Sequence, residues 1–363
     1  MATPPDDLPS RHEVVDLFAG PGGLDVGAHW LGMKTTGIEL DRHACATRAS
    51  AGLMTVQGDV RDYGPDDFPD ATILAGGPPC QTYTLAGNGA GRQALNEVLA
   101  LVEEMAGGAD VSTSLAMFED ERTGLALEPL RWVLQAIRLQ RPYEAVVMEQ
   151  VPAVLPIWQA IRTVLERHGY GSDCGILRTE QFGVPQTRRR AILVARWHGS
   201  VKLPDPTHQH FRKGVPRQAE IGLEPWVSMN EALGRDDGFT VVSNYGSGGD
   251  PKNRGRRDSD EPAATVTGKV TRNRLEMPDG TTTKLTLQEA GRLQTFPHDY
   301  PWSGNDVGQQ IGNAIPPRLA AHVLAAATDA TVDSELLDRA VDAKWLESRA
   351  GVGALTGSFE RSL

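Results

Sequence analysis

Cysteine is scarce in this chain. Cys45, Cys80 and Cys174 are the only three among 363 residues, far apart and odd in number. No CxxC pair occurs, so neither a zinc knuckle nor a disulfide framework organises the fold, and no metal is expected. A lone intracellular cysteine is most often a small core hydrophobe. No apolar run approaches the roughly 20 residues that a membrane helix needs. The opening MATPPDDLPSRHE is polar and acidic, without the basic flank and apolar stretch of a signal peptide. The expected location is the cytosol, away from membranes. Positive charge is in deficit too. The net charge of −11 argues, taken alone, against nucleic-acid binding.

The basic residues that do occur are clustered. Arg188, Arg189 and Arg190 form one group, Lys252 to Arg257 a second, Lys269 to Arg274 a third. Net charge says little about local fields, so a basic cleft on an acidic body is compatible with this distribution. The second and third clusters could equally be solvated charge.

Hydrophobic patterning alternates between strand and helix. EVVDLFA at 13–19 reads as a buried strand running into the turn GPGG, with a helix at 23–31. KTTGIEL at 34–40 is a second strand ending on Glu39, and a helix follows at 42–51. Val56 to Val60 leads to Asp59, and ATILAGG at 71–77 is another strand. Helical spacing returns at 92–106 and 125–139, and EAVVMEQV at 144–151 is a buried strand ending at Glu149. A helix at 156–168 and the strand AILVAR at 191–196 follow. This order implies an α/β fold with a doubly wound, mostly parallel sheet, whose ligands sit at the carboxyl ends of the strands. Gly20, Glu39, Asp59 and Cys80 all fall there. From 197 to 264 the chain is rich in Pro, Gly, His and charge, and a small, irregular second domain is expected. Periodicity resumes near Leu285, PPRLAAHVLAAA at 316–327 is a helix, and 331–348 could hold one more. The expected division is 1–196 catalytic, 197–264 small domain, 265–330 return to the catalytic domain, and 331–363 C-terminal helix and tail.

Four places carry candidate chemistry. Gly20, Gly22 and Gly23 form a turn where backbone can approach a ligand closely, and Glu39 could hold a ribose diol with both oxygens. The strict GxGxxG pattern and any lysine are missing, so a nucleoside-like ligand suits this turn better than a nucleotide. A tight structural turn would look much the same. Asp59 could accept from an adenine amino group or cap a helix. GGPPCQ at 76–81 presents the Cys80 thiol from a rigid strand end with room for a flat substrate. Glu149, at the end of an apolar strand, could donate a proton or hydrogen bond to a substrate ring, or sit in a salt bridge. QTRRR at 186–190 offers guanidinium groups suited to phosphate and carbonyl oxygens, or a solvated turn.

Together these segments resemble the cytosine-5 DNA methyltransferase family of bacterial or phage type. DLFAGPGGLDVG at 16–27, GGPPCQ at 76–81, MEQV at 148–151, QTRRR at 186–190, LTLQEAGRLQTFP at 285–297 and QQIGNAIPP at 309–317 are similar to its signatures, in the usual order. The resemblance covers roughly residues 13–328. It implies the sheet of the S-adenosylmethionine-dependent methyltransferases, and S-adenosyl-L-methionine as cofactor, leaving as S-adenosyl-L-homocysteine. Phe18, Gly20, Gly22, Gly23, Val60, Pro79, Asn313 and Ala314 would border it, Glu39 would take the ribose hydroxyls, and Asp59 the adenine amino group. Cys80 would attack carbon 6 of a flipped-out cytosine, Glu149 would bind the ring at N3 and the amino group, and Arg190 would hold the carbonyl. Arg188 would take a backbone phosphate, with Gln81, Arg254, Arg256 and Arg257 also on DNA. The partner is double-stranded DNA, in the cytoplasm on the nucleoid, for a monomer with or without a separate cognate restriction endonuclease.

Gln150 departs from the family's usual Asn and is one methylene longer. Thr82, Tyr83 and Thr84 follow Cys80-Gln81 where Pro-Phe-Ser is frequent, and Lys284 replaces a frequent Arg. A tRNA cytosine methyltransferase on the same scaffold is the main alternative, and the basic loop of 197–264 argues for DNA. A catalytically silent homologue conflicts with Cys80, Glu149 and Arg190. A nicotinamide oxidoreductase would leave GGPPCQ, QTRRR and QQIGNAIPP unexplained.

Overall fold

The computed structural model describes residues 12–79, 89–118, 120, 122–215, 217, 222–243 and 254–348. Cys80, Gln81 and residues 244–253 of the basic loop lie outside them. Seven strands build the main sheet: β1 (Glu13–Leu17), β2 (Lys34–Glu39), β3 (Met54–Gln57), β4 (Ile73–Gly76), β5 (Ala145–Gln150), β6 (Tyr170–Arg178) and, after the two-residue β7 (Gln186–Thr187), β8 (Arg189–Trp197). Their order is β3-β2-β1-β4-β5-β8-β6. The first five are parallel, and β8 lies antiparallel between β5 and β6. The chain therefore has the α/β, mostly parallel sheet that its patterning implied.

Helices cover both faces, which is why the central strands are apolar without interruption. They are α1 (Gly23–Trp30), α2 (Arg42–Ser50), α3 (Gly89–Ala106), α4 (Ser112–Ala116), α5 (Arg122–Leu125), α6 (Glu128–Arg138) and α7 (Leu155–Arg167). After them come α8 (Met229–Leu233), α9 (Leu287–Arg292), α10 (Val307–Asn313), α11 (Pro317–Thr328), α12 (Ser334–Asp342) and α13 (Trp345–Ser348). Successive strand residues point to opposite faces. Val15, Leu17, Leu74, Val146 and Met148 pack under α3, α6 and α7. Val14, Ile73, Ala75, Ala145 and Val147 pack under α1 and α11. A third cluster joins α1 to the loop after α9 and to α12 and α13, through Trp30, Phe296, Tyr300 and Trp345. No described helix is long and apolar enough to cross a membrane.

Residues 197–264 hold more order than composition suggested. β9 (Thr240–Val242) and β10 (Arg256–Asp258) join β12 (Arg274–Glu276) and β13 (Thr282–Thr283) in an antiparallel sheet, order β10-β9-β12-β13. This sheet takes strands from both sides of residue 264. Between them β11 (Ala263–Ala264) returns to pair in parallel with β7 beside the main sheet. Met229, Phe239, Leu275 and Leu285 form the small core beneath.

Behind the first turn lies an ion pair that is wholly buried. Arg48 Nη1 and Nη2 donate to the Asp25 carboxylate at 2.7 and 2.9 Å, with both side chains at 0% exposure. Burial pushes the Asp25 carboxyl up, and the Arg48 guanidinium more than reverses this, holding it below its ordinary value. Removing one partner leaves an uncompensated buried charge. Arg48→Met should lower unfolding free energy by about 3–5 kcal/mol, and the double variant Asp25→Leu/Arg48→Met should recover part of it. Urea unfolding of the wild type and the two variants checks this.

Candidate active site

The strand ends converge on one cavity of about 630 Å³. After β1 the backbone turns through left-handed conformations at Phe18 (φ 62°), Gly20 (φ 55°) and Gly22 (φ 105°). Gly22 and Gly23 have no room for a side chain. A Cβ on Gly22 would lie 2.3 Å from Leu53 and 2.8 Å from the Tyr300 hydroxyl, and one on Gly23 would lie 2.2 Å from the Ile315 carbonyl oxygen. Gly20 faces open space instead. The turn thus packs its back on distant segments and leaves its front free, as a ligand cradle requires.

Phe18, Gly20, Gly23, Glu39, Asp59, Val60, Pro79, Asn313 and Ala314 all line this cavity. Gly22 sits behind it. Glu39 accepts from Gly20 N and Asp41 N, both at 2.7 Å, so its carboxylate ties the turn to the start of α2. Each oxygen keeps a lone pair for a ligand hydroxyl. Asp59 does two things at once. It caps the short turn Val60–Asp62 through Arg61 N at 2.9 Å and pairs with the Arg61 guanidinium at 2.6 Å. That hydrogen bonding holds its carboxyl below the usual range. Leu40 and Asp16 are among the lining residues that sequence reasoning missed. Leu40 is 64% exposed, an apolar side chain at the strand end after Glu39. Asp16 is buried, and burial followed by the Asp25 carboxylate pushes its pKa well up.

Glu149, Arg188 and Arg190 line the same cavity. Glu149 Oε1 lies 2.7 Å from Arg190 Nε, with side-chain exposures of 10% and 12%. The ion-pair reading of Glu149 is the one this contact shows, and the residue also lines the cavity. Gln150 donates through Nε2 to the Pro78 carbonyl and accepts from Val151 N at 2.6 Å. Its extra methylene is spent on reaching the backbone that leads to Cys80.

Arg188 corrects an expectation. It is 1% exposed and donates to the carbonyls of Val266, Gly312 and Ala314 at 3.0, 2.9 and 3.2 Å. A guanidinium buried on three backbone oxygens fastens the two returning loops and is not available to a DNA phosphate. Gln186, in the same motif, is fully buried and bonds Leu293, Gln294 and Val266. Arg257 likewise leaves the DNA-facing set, because it stacks over Phe211 at 4.7 Å and lies 22% exposed beside Glu261. Arg256 is 51% exposed and pairs with Glu276 at 2.6 Å. Arg254 is half-buried at the start of the described part of that loop.

The donor set fits a cationic nucleoside. Asp16, Glu39, Asp41, Asp59 and Glu149 put five acidic residues on the walls. Every guanidinium lining the cavity is engaged within the protein: Arg61 by Asp59, Arg122 by Asp120, Arg190 by Glu149, and Arg188 by carbonyls. Among the described residues no lysine lines it, so a phosphate would meet carboxylates and occupied arginines, whereas a sulfonium or ammonium would meet complementary charge.

Comparison with known proteins agrees with this geometry. The family model for C-5 cytosine-specific DNA methylase matches residues 12–105, 110–221 and 219–328. The chain is 27% identical over 343 residues to a type II methyltransferase, M1.HphI, of Haemophilus parahaemolyticus, covering 84% of each. It is 26% identical over 388 residues to M.NgoFVII of Neisseria gonorrhoeae, covering 92% of each. Among solved structures, S. pombe Dnmt2 methyltransferase superposes with a TM-score of 0.59 at 16% identity, over 88% of this chain and 98% of that one. A putative DNA modification methyltransferase of an E. coli prophage gives 0.56 at 18%, over 88% and 99%. These two likenesses concern the fold.

Glu39→Ala should weaken binding of S-adenosyl-L-methionine by about 1–3 kcal/mol through loss of a charge-assisted bond. Isothermal calorimetry with unchanged affinity would remove Glu39 from the site.

Proposed function

The chain belongs to the C-5 cytosine-specific DNA methylase family, and on that footing we propose that this DNA (cytosine-5-)-methyltransferase acts on a cytosine flipped out of duplex DNA, through a covalent bond to Cys80. One observation carries the reading: the Glu149–Arg190 pair and the Glu39–Gly20 turn line a single cavity, at the mouth of the strand that leads to Cys80. When bound, S-adenosyl-L-methionine supplies an electrophilic methyl group on a sulfonium. Phe18, Leu40 and Val60 offer apolar surface to the adenine, Asp59 an acceptor for its amino group, and Glu39 acceptors for the ribose hydroxyls.

Carbon 5 of cytosine is a poor nucleophile. The Cys80 thiolate adds to carbon 6, forming a C–S bond and turning the ring into an enamine that attacks through carbon 5. Glu149 hydrogen-bonds N3 and the amino group, so it offsets the charge that develops there. Arg190 holds the Glu149 carboxylate in place and presents its remaining N–H groups to the ring carbonyl. A base, with water as the candidate, removes the carbon 5 proton, the electron pair re-forms the double bond, and the C–S bond breaks to release the thiolate. The target carbon is inaccessible in a stacked helix, so the nucleotide must leave the stack at a cost of a few kcal/mol.

The type II names of the relatives favour DNA over tRNA as substrate. A restriction endonuclease acting separately on the same site would be the natural counterpart. Bisulfite sequencing of DNA from cells expressing the chain tests the reading. A uniform methylated context is expected, and methylation confined to tRNA would overturn it. Cys80→Ser should abolish turnover and leave cofactor binding nearly intact. Duplex carrying 5-fluorocytosine should trap the wild-type protein in a denaturant-resistant complex, because carbon 5 then has no proton to lose. The same band from Cys80→Ala would refute the nucleophile.

For the small domain, Arg254→Ala and Arg256→Ala should each reduce the salt slope of DNA binding by about one if the residue meets a phosphate. If it reads a guanine, discrimination at one base pair should relax by about 1–3 kcal/mol. Arg257→Ala should lower stability instead. Salt titrations and methylation maps of the three variants separate these outcomes, and no change in either for Arg254 and Arg256 would take the loop out of the interface.

A further inference from the structure

The family match ends at residue 328, yet the chain continues into α12 and α13 and packs them against the cofactor turn. The point of contact is Trp345, which is 3% exposed. Its ring meets Tyr300 edge-on at 5.2 Å between centroids, and its Nε1 donates to the Ala51 carbonyl at 3.0 Å. Its backbone N donates to Asp299 Oδ1 at 2.7 Å.

One of these partners, Tyr300, touches the turn directly, and Ala51 leads to a residue that does. Tyr300 is fully buried among Phe296, Trp302 and Trp345, and its hydroxyl donates to the Pro21 carbonyl at 2.6 Å. That hydroxyl also lies where a Cβ on Gly22 would stand. Ala51 ends α2 and leads to Leu53, whose Cδ1 closes the other side of Gly22. Trp345 therefore grips both walls of a glycine whose left-handed conformation aims Gly20 N at Glu39. Two ion pairs at the far end, Arg318–Asp338 and Arg292–Asp342, hold α12 in its place.

We propose that Tyr300 and Trp345 are positioning residues for the cofactor, and that the C-terminal helix pair is a brace that sets the conformation of the Gly20–Gly23 turn. A purely structural role would make α12 and α13 a cover for apolar surface, with stability as their only output. The brace instead ties cofactor affinity to one hydroxyl that touches no ligand. This inference rests on the reading that the turn binds S-adenosyl-L-methionine.

Tyr300→Phe keeps the ring and removes only the bond to Pro21. It should raise the calorimetric Kd for S-adenosyl-L-homocysteine about 5-fold, the loss of roughly one neutral hydrogen bond, and raise KM for S-adenosyl-L-methionine alike. The kcat at saturating cofactor and the KM for DNA should stay near wild type. Trp345→Phe should give a smaller rise in Kd, and Trp345→Ala a larger one. Tyr170→Phe, which removes a buried hydroxyl bond to the Tyr143 carbonyl on the edge strand β6, outside the brace, should lower thermal stability and leave Kd unchanged. If Tyr300→Phe folds and binds S-adenosyl-L-homocysteine as wild type does, the brace is refuted. It is refuted equally if Kd rises in step with the loss of stability across all four variants. Should Trp345→Ala fail to fold, Tyr300→Phe and Trp345→Phe decide. Failure of the wild type itself to bind S-adenosyl-L-homocysteine would instead overturn the underlying reading of the turn.

Discussion

The buried Asp25–Arg48 pair is the constraint on which the cofactor end of the molecule depends. Asp25 stands in the first turn of α1 and Arg48 in the last turn of α2, so their bond fixes the two helices that follow the first two strand ends. Thr35 on β2 donates to Asp25, while Arg48 reaches Thr55 and the Met54 carbonyl on β3. Its Nη2 fills the space where a Cβ on Gly37 would lie, at 2.1 Å. A hydrophobic pair of similar volume would cost less desolvation. It would not, however, impose directions on three strands and two helices at once. Burial first, and the Asp25 carboxylate next, raise the electrostatic cost of the adjacent Asp16, with Arg48 opposing them, and Asp16 also lines the cavity. A cation seated there offsets that cost, so the same charges that set the architecture favour a sulfonium ligand.

Neutral amides do for the far wall what the ion pair does for the near one. Gln186 joins β7 to the loop after α9 and to Val266. Gln294 continues to the Ile311 carbonyl, and Gln310 takes the Thr47 hydroxyl and the carbonyls of His43, Ser303 and Asn305. An amide offers two donors and an acceptor with no charge to desolvate, which suits loops whose carbonyls would otherwise be orphaned in the interior. These bonds bring residues 186, 266, 294 and 310–314 together, although they are spread over more than a third of the chain. Gln150 adds the same device next to the catalytic loop. The site is thus assembled from strand ends and held by side chains that take no part in the chemistry.

Much of this was legible, for definite reasons. β1, β4 and β5 are buried on both faces, so they appear as unbroken apolar runs whose polar ends mark the site. β6 was overlooked because YGSDCGILR lies at the sheet edge, is only partly buried, and shows no clean alternation. The small sheet was overlooked because its strands have two or three residues, too few for a period to register, and pair across long loops. Arg188 and Arg190 sit two apart in one basic run, yet one is sunk on carbonyls and the other faces a carboxylate in the cavity. Composition assigns both to a charged surface. Only the return of residues 266 and 312–314 over β7 buries the first, and that contact depends on the tertiary path. Leu40 escaped for the opposite reason, since an apolar residue at a strand end has no signal until the cavity beside it is seen.

The acidic balance of the chain also acquires a physical meaning. The carboxyl groups on the cavity walls favour a cationic donor, while DNA must be met by arginines on a body of net charge −11. Several arginines of the small domain are already paired: Arg256 and Arg274 with Glu276, Arg217 with Glu231, and Arg235 with Asp237. A phosphate arriving at such a pair exchanges one anion for another and does not simply neutralise a free cation. Fewer condensed counterions are then lost per contact than at an unpaired arginine, and the non-specific part of the affinity is smaller. Weak non-specific binding leaves a larger share of the discrimination to base contacts. For an enzyme that must leave most cytosines untouched, exposed arginines held by carboxylates are a better arrangement than a uniformly basic cleft.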